Sequence, residues 1–240
     1  KIDASGGIVE IGADQGAPAT ARSVGKDGNR AAAKVTADFG GVAGIERDQG
    51  NVPLVEAARG RARRERRPAL RLWTSERNLA AQRLAESTGF RRIAVFTRRG
   101  ARTRRAPSGL RTSRRAAEAF RLWRRSLFCR QGGGHIAYQW HFLPLTQNML
   151  KKMAARNELL VGQDIAVVLW TGEERRTAFA SVLAGGQRGL TAARRAAGER
   201  GYAAVQTFLP RDPRIVRWAR EAGFIKGSWG TRAVLYERRV

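Results

Sequence analysis

The sequence predicts an α/β (α+β) protein, with mixed, mostly antiparallel sheets flanked by helices. Three observations predict it. Ala69–Arg92, ALRLWTSERNLAAQRLAESTGFRR, reads as a short buried strand, a polar turn, a helix of about four turns and the start of another strand. The same order of elements recurs at 203–224. Between these stretches, short apolar runs alternate with segments of helical spacing, and 42% apolar residues over 240 positions can fill a sizeable core.

Residues 1–50 read as a meander of strands. Ile8–Ile11 and Pro18–Val24 are strand-like, and Lys26-Asp27-Gly28-Asn29 is a hairpin turn. Ala31–Phe39 and Gly40–Ile45 read as one longer strand with a bulge at Gly40-Gly41. A turn over 47–53 leads into a helix at Leu54–Arg66, with Asn51 as a cap, Pro53 in the first turn and Pro68 as the stop. The strand Ala69–Trp73 follows. Thr74 and Ser75 are N-cap types, and Glu76 suits the positive end of the helix dipole. Leu79, Ala80, Arg83, Leu84 and Ser87 keep helical spacing until Gly89 stops the helix.

The composition shifts over 97–115, where arginines surround Gly100, Pro107 and Gly109, and this stretch reads as a linker. Beyond it come a helix at 114–128, a glycine loop at 129–134 and a strand over Ile136–Leu143. Next are a Thr146-capped helix over 147–157, strands at 159–161 and 164–170, a turn at Glu173-Glu174 and a strand at Thr177–Leu183. Sliding Gly89-Phe90 onto Gly223-Phe224 aligns the rest without a gap: 55–67 on 189–201, 69–73 on 203–207, Asn78 on Asp212, Ala85 on Ala219. This implies two related units.

Several function classes drop out. No apolar run reaches the roughly 18–20 residues that cross a bilayer, so no membrane partner is expected. Cys129 is the single cysteine, which excludes an internal disulfide and suits a reducing, cytoplasmic setting. The start lacks both a signal-peptide pattern and an initiator Met, so a fragment or processed chain is expected. His135 and His141 lack nearby carboxylate partners, and no metal is expected. Tyr138, Trp140 and Phe142 alternate and could share one face. The net charge of +26 is carried mostly by arginine. It fits either binding of nucleic acid through phosphates or a composition bias spread over solvated faces.

Asn78-x-x-Ala81-x-x-Leu84 followed by Gly89-Phe90, after the strand LRLWTS, is similar to the fourth helix and fifth strand of the GNAT superfamily of N-acetyltransferases. Arg47-x-x-Gly50-x-Val52 before a helix resembles that family's pyrophosphate loop. The resemblance implies two GNAT-like domains, 1–103 without its opening elements and 104–240. It implies transfer of an acetyl group from acetyl-CoA to a primary amine on a small molecule or a protein. Carried over residue by residue, it places phosphates at Arg47, Gln49, Gly50, Asn51 and Val52, and the cofactor arm along Leu72, Trp73, Thr74 and Asn78. Glu46 becomes the base that draws a proton from the amine. A loop entering a helix N-terminus offers free N–H groups to such phosphates. The sequence also departs from the family. Val52 is bulkier than the usual small residue, Ala85 and Ala219 stand where a tyrosine is frequent, and Gly185-Gly186-Gln187-Arg188-Gly189 is spaced differently from the loop. The cofactor is therefore expected in the first domain. The alternative is a non-catalytic member binding nucleic acid through arginines of helix 54–67 and linker 97–125.

Overall fold

Strand–turn–helix units with capped turns dominate the chain, because apolar runs of strand length are punctuated by Asn, Asp, Thr and Gly at the turns. The computed structural model describes residues 9–13, 33–37, 41–45, 51–139, 141–172, 176–226 and 232–240. In chain order these form β1 Val9–Ala13, β2 Ala33–Ala37, β3 Gly41–Ile45, α1 Asn51–Arg64, β4 Ala69–Ser75, α2 Leu79–Ser87 and β5 Arg91–Arg102. There follow β6 Arg111–Thr112, α3 Ala116–Arg125, α4 Leu127–Gln131, β7 His135–Tyr138, β8 His141–Pro144, α5 Gln147–Ala155, β9 Leu159–Gly162 and β10 Ile165–Thr171. The chain continues with β11 Thr177–Ala184, α6 Gly186–Glu199, β12 Ala204–Pro210, α7 Pro213–Glu221, β13 Ile225–Lys226 and β14 Arg232–Arg239. This is a mixed α/β fold. It divides into two compact units, one of Lys1–Ile93 with Ala233–Val240 and one of Ala94–Arg232.

In the first unit the strand order is β3-β2-β1-β4-β14. β1 runs parallel to β4, from Val9 opposite Leu70 to Ala13 opposite Thr74. β14 runs antiparallel on β4's other edge, from Ala233 opposite Ser75 to Arg239 opposite Ala69. β4 therefore lies inside the sheet, which is why it reads as a near-continuous apolar run. Val55, Ala58 and Ala62 give α1 a buried stripe at helical spacing. Arg71 is buried and paired across the sheet with Glu237, at 2.7 Å from Nε and 2.6 Å from Nη2 to the same carboxylate oxygen. Arg238 donates to the Thr88 carbonyl and lies 3.5 Å from Glu56.

In the second unit the order is β5-β12-β11-β10-β9-β6, with β13 also on β5. Its ladders are antiparallel except for β11 with β12. Every residue of β11 is buried, so both faces of the sheet are covered there. Ala116, Ala119 and Trp123 of α3 and Leu190, Ala193 and Ala197 of α6 are buried in the same core. β7 and β8 form a separate hairpin with Tyr138 opposite His141.

The repeated segment is visible as geometry. β4 and β12 are both seven residues long, and α2 and α7 both nine. Asn78 caps α2 through a bond from the Ala81 N–H, and Asp212 caps α7 through the N–H groups of Arg214 and Ile215. Gly89 and Gly223 end the two helices at φ +80° and +82°, where a side chain is disfavoured. Phe90 N–H bonds the Ala85 carbonyl, and Phe224 N–H bonds that of Ala219. The match does carry a gap. Three residues join β4 to α2 and two join β12 to α7. Helix α1 thus lies on α6, and β4 on β12, one residue further along than the ungapped alignment places them.

Other expectations are corrected locally. Thr74 and Ser75 continue β4, because ladders hold both of its edges, and Asn78 takes the cap. Ala33–Ala37 and Gly41–Ile45 are two antiparallel strands, not one bulged strand. The helix expected over 114–128 breaks at Ser126, whose hydroxyl accepts from the Cys129 N–H and starts α4. The strand expected over 136–143 is the β7–β8 hairpin. Thr97–Arg102 of the expected linker lies in β5. The strand expected at Pro18–Val24 lies outside the described residues.

Candidate functional site

The one parallel contact among the described residues of the second unit is short. β11 and β12 pair only from Thr177 opposite Ala204 to Phe179 opposite Gln206. Beyond that point β11 continues five residues, to Ala184, and β12 four, to Pro210, with no ladder between them. The result is an open seam between parallel strands at their carboxyl ends. Main-chain N–H and C=O groups along such a seam need other partners, and in α/β sheets ligands lie outside these ends.

β11 leads straight into the glycine run at the start of α6. Gly185 is the N-cap at φ +100°, a conformation that glycine adopts freely, and no side chain caps this helix end. The first turn of α6 therefore presents backbone N–H groups and a positive dipole end. Arg188 adds a cation there and donates to the Gln163 carbonyl at 3.3 Å. Gly189 lets α6 lie close on β11: a Cβ at this position would collide with the Ala184 carbonyl oxygen and stand 2.9 Å from Val182 Cγ1. Trp218 of α7 flanks the run, 3.6 Å from the place a Gly186 Cβ would take.

On the sheet face opposite Ala180 and Val182, the Ser181 hydroxyl donates to the Ala137 carbonyl of β7. The hairpin thus rests beside the seam. An aromatic row runs away from it. Phe179, the last residue of β11 paired with β12, stacks on Trp170 at 5.9 Å, and Trp170 meets Tyr138 at 5.0 Å. The Arg98 guanidinium lies 5.7 Å over the Phe179 ring. At the other side of the seam, Thr207 is 1% exposed and its hydroxyl has no partner among the described residues.

Tyr138 donates to Glu158 at 2.7 Å and accepts from Arg156 at 3.1 Å. Burial, then the Glu158 carboxylate, pushes its phenol from 10.0 up to about 12. It therefore stays protonated through neutral pH and can hold or donate a proton. The raised value means that this phenol favours the folded state fully below pH 10, and that the contribution is lost as pH rises toward 12. An absorbance titration of the wild type minus Tyr138→Phe should isolate one phenolate transition near pH 12. A difference transition near pH 10 would contradict the buried geometry.

The residues that the sequence marked are placed as follows. Glu46, Arg47, Gln49 and Gly50 lie outside the described residues. Asn51 and Val52 are the first two residues of α1. Leu72 and Thr74 are buried in β4 and Trp73 is half-buried, on a strand with ladders on both edges over Leu70–Thr74. The Asn78 side-chain oxygen Oδ1 accepts from the Ala81 N–H at 3.1 Å and serves as the cap. Cys129 is partly buried, and burial raises its thiol pKa, which does not favour a thiolate. The β11–β12 seam was not legible in the sequence, although the glycine run at its end was noticed.

No family model and no curated protein matches the sequence. Solved structures do. A GCN5-related N-acetyltransferase from Sphaerobacter thermophilus matches with a TM-score of 0.53 and 17% identity, over 87% of this chain and 80% of that one. This chain has the GNAT fold. A proposed acetyltransferase from Thermoplasma acidophilum matches at TM-score 0.51 and 11% identity, over 87% and 74%. A conserved protein of unknown function from Staphylococcus epidermidis matches at 0.55 and 9%, over 91% and 94%. Identities at this level speak for the fold alone. No helix among the described residues is long and apolar enough to cross a membrane.

Proposed function

We propose that this protein is an N-acetyltransferase that moves an acetyl group from acetyl-CoA to a primary amine, and that its two related units form a tandem arrangement. The observation that carries the proposal is the seam between β11 and β12, opening onto an uncapped, glycine-rich helix start. The residues fit the group. The N–H groups of Gly186, Gln187 and Arg188 suit a pyrophosphate, and the Arg188 side chain adds charge at the same place. When bound, acetyl-CoA supplies an activated thioester. The chain's own part is to offer main-chain N–H groups along the seam to an acyl oxygen, to hold the acceptor close, and to keep water out with the apolar residues around it.

The loop Arg47–Val52, with the strand segment Leu72–Thr74, Asn78 and Glu46 as base, is the second cradle, on the strength of its motif. The two are separable. Gly186→Asp puts a carboxylate where phosphates would bind. It occupies a φ of +55°, which Asp tolerates, with ordinary contacts around the new Cβ. Asp also suits a helix N-terminus, so the melting temperature should hold. Calorimetry should show acetyl-CoA affinity reduced by more than about tenfold, worth about 1.4 kcal/mol. Loss on replacing Gly50 with a bulky residue, and not with Gly186→Asp, would move the site to the first unit. Absence of binding heat for the wild type at millimolar cofactor would reject acetyl transfer altogether.

A further inference from the structure

The two units handle their arginines differently. In the first unit guanidinium groups are matched to carboxylates: Arg61 and Arg67 to Glu65 at 2.7 and 3.1 Å, Arg71 to Glu237 at 2.6 Å, Arg59 to Glu56 at 3.4 Å. In the second unit Glu118 and Glu221 lie 3.7 and 3.9 Å from Arg115 and Arg217, and three other carboxylates are committed elsewhere. Glu158 accepts from Tyr138, Glu199 from the Ser108 N–H and hydroxyl, and Asp212 from the start of α7. Several of its arginines settle on main-chain carbonyls: Arg194 on Arg102 and Ala222, Arg195 on Pro107, Arg200 on Asn157, Arg130 on Arg125. A carbonyl positions a guanidinium without cancelling its charge. Most of the net +26 belongs to the second unit, whose span holds 27 arginines and lysines against eight acidic residues.

Three of these arginines share the exposed side of one helix. α3 buries Ala116, Ala119 and Trp123. Its opposite side exposes Arg121, Arg124 and Arg125, with exposed Arg114 two residues before the helix and exposed Arg130 beyond its end. The single acid on α3, Glu118, lies 3.7 Å from Arg115. Neighbouring positions on such a stripe stand about 5–6 Å apart. A ten-residue helix is about 15 Å long, which spans about four base-pair steps of a duplex at about 3.4 Å of axial rise each. Arginine's planar fork suits phosphate in particular, and only six of the 46 basic residues are lysine.

We propose that the exposed arginine stripe of α3, extended by Arg114 and Arg130, is a nucleic-acid-binding surface that contacts the phosphate backbone without reading sequence. It is independent of the acyl-transfer site, and the arginines expected on helix 54–67 are not its centre because Glu56 and Glu65 hold several of them.

Fluorescence anisotropy of the full chain with a labelled duplex of about 20 base pairs, from about 50 to 200 mM salt, tests it. Wild-type affinity should fall steeply with salt. The triple variant Arg121→Gln/Arg124→Gln/Arg125→Gln should flatten the log–log slope by about 2.5 and weaken binding at least about tenfold. Arg63→Gln/Arg64→Gln/Arg66→Gln on exposed positions of the first unit removes the same charge and should change affinity less than about twofold. Equal losses in the two variants would mean attraction by net charge alone and overturn the assignment to α3. Failure of the wild type to bind at the lowest salt would overturn the surface itself. Equal affinity for a polyglutamate of matched charge, lost in the same α3 variant, would replace nucleic acid with an acidic protein.

Discussion

Removing Ala233–Val240 should unfold the first unit. These residues are the last stretch of the chain, yet they hydrogen-bond along the whole of β4, more than 150 residues earlier. Val234, Leu235 and Tyr236 are fully buried. Burial of three such side chains stabilises by roughly 5–9 kcal/mol, comparable to the 5–15 kcal/mol typical of a whole domain. Truncation would also expose the apolar edge of β4 and leave Arg71 buried without Glu237. Hydrogen exchange should show the amides of β4 and α2 losing protection while those of β10 and β11 keep theirs. Native protection of β4 in the truncated chain would show that β14 is dispensable. Glu237→Ala is a milder version, expected to cost roughly 1.5–3 kcal/mol because a part-buried guanidinium loses its charged hydrogen bonds.

This strand also marks the limit of what could be read from residues. Val234–Tyr236 looks like a strand anywhere, and nothing local says whether it pairs with a neighbour or with β4. The seam between β11 and β12 has the same character, since it consists of pairing that stops, and each strand alone reads as an ordinary apolar run. By contrast, the unit from β4 to Phe90 and its counterpart at 204–224 were legible, because Gly89 and Gly223 stop their helices for local reasons, although the cap of α2 expected at Thr74 or Ser75 lies at Asn78. Even there, one extra residue in the turn before α2 escaped notice. A turn absorbs an insertion without disturbing the periodicity on either side. Ser126 carried its signal openly as a cap, but the apolar spacing from Ala117 to Leu127 runs through it and hides the break. The glycine run at 185–189 differs in spacing from the family's loop motif. What makes it a candidate site is its position, at the end of a strand that has just parted from β12 on one edge.

Position is also what makes Gly189→Ala informative. Glycine in a helix interior normally costs about 1 kcal/mol relative to alanine, so the substitution would ordinarily stabilise. Gly60, in the middle of α1, obeys that rule: its added Cβ meets nothing nearer than 3.5 Å, the far end of the Arg64 side chain. Gly60→Ala should raise stability by up to about 1 kcal/mol. At Gly189 the same methyl group meets the Ala184 carbonyl and Val182, a backbone and a core contact that cannot swing away. Overpacking of this kind costs about 1–3 kcal/mol, and it outweighs the helix gain. Chemical denaturation should therefore give opposite signs for the two substitutions. The Gly189 variant should also lose acetyl-CoA affinity beyond its loss of stability, because α6 can relieve the clash only by lifting from β11. That movement carries the N–H groups of Gly186–Arg188 away from the seam. A Gly189→Ala protein with raised stability would mean that α6 does not rest on β11 as described. One with lowered stability and intact affinity would detach the start of α6 from cofactor binding and return the search to the Arg47–Val52 loop.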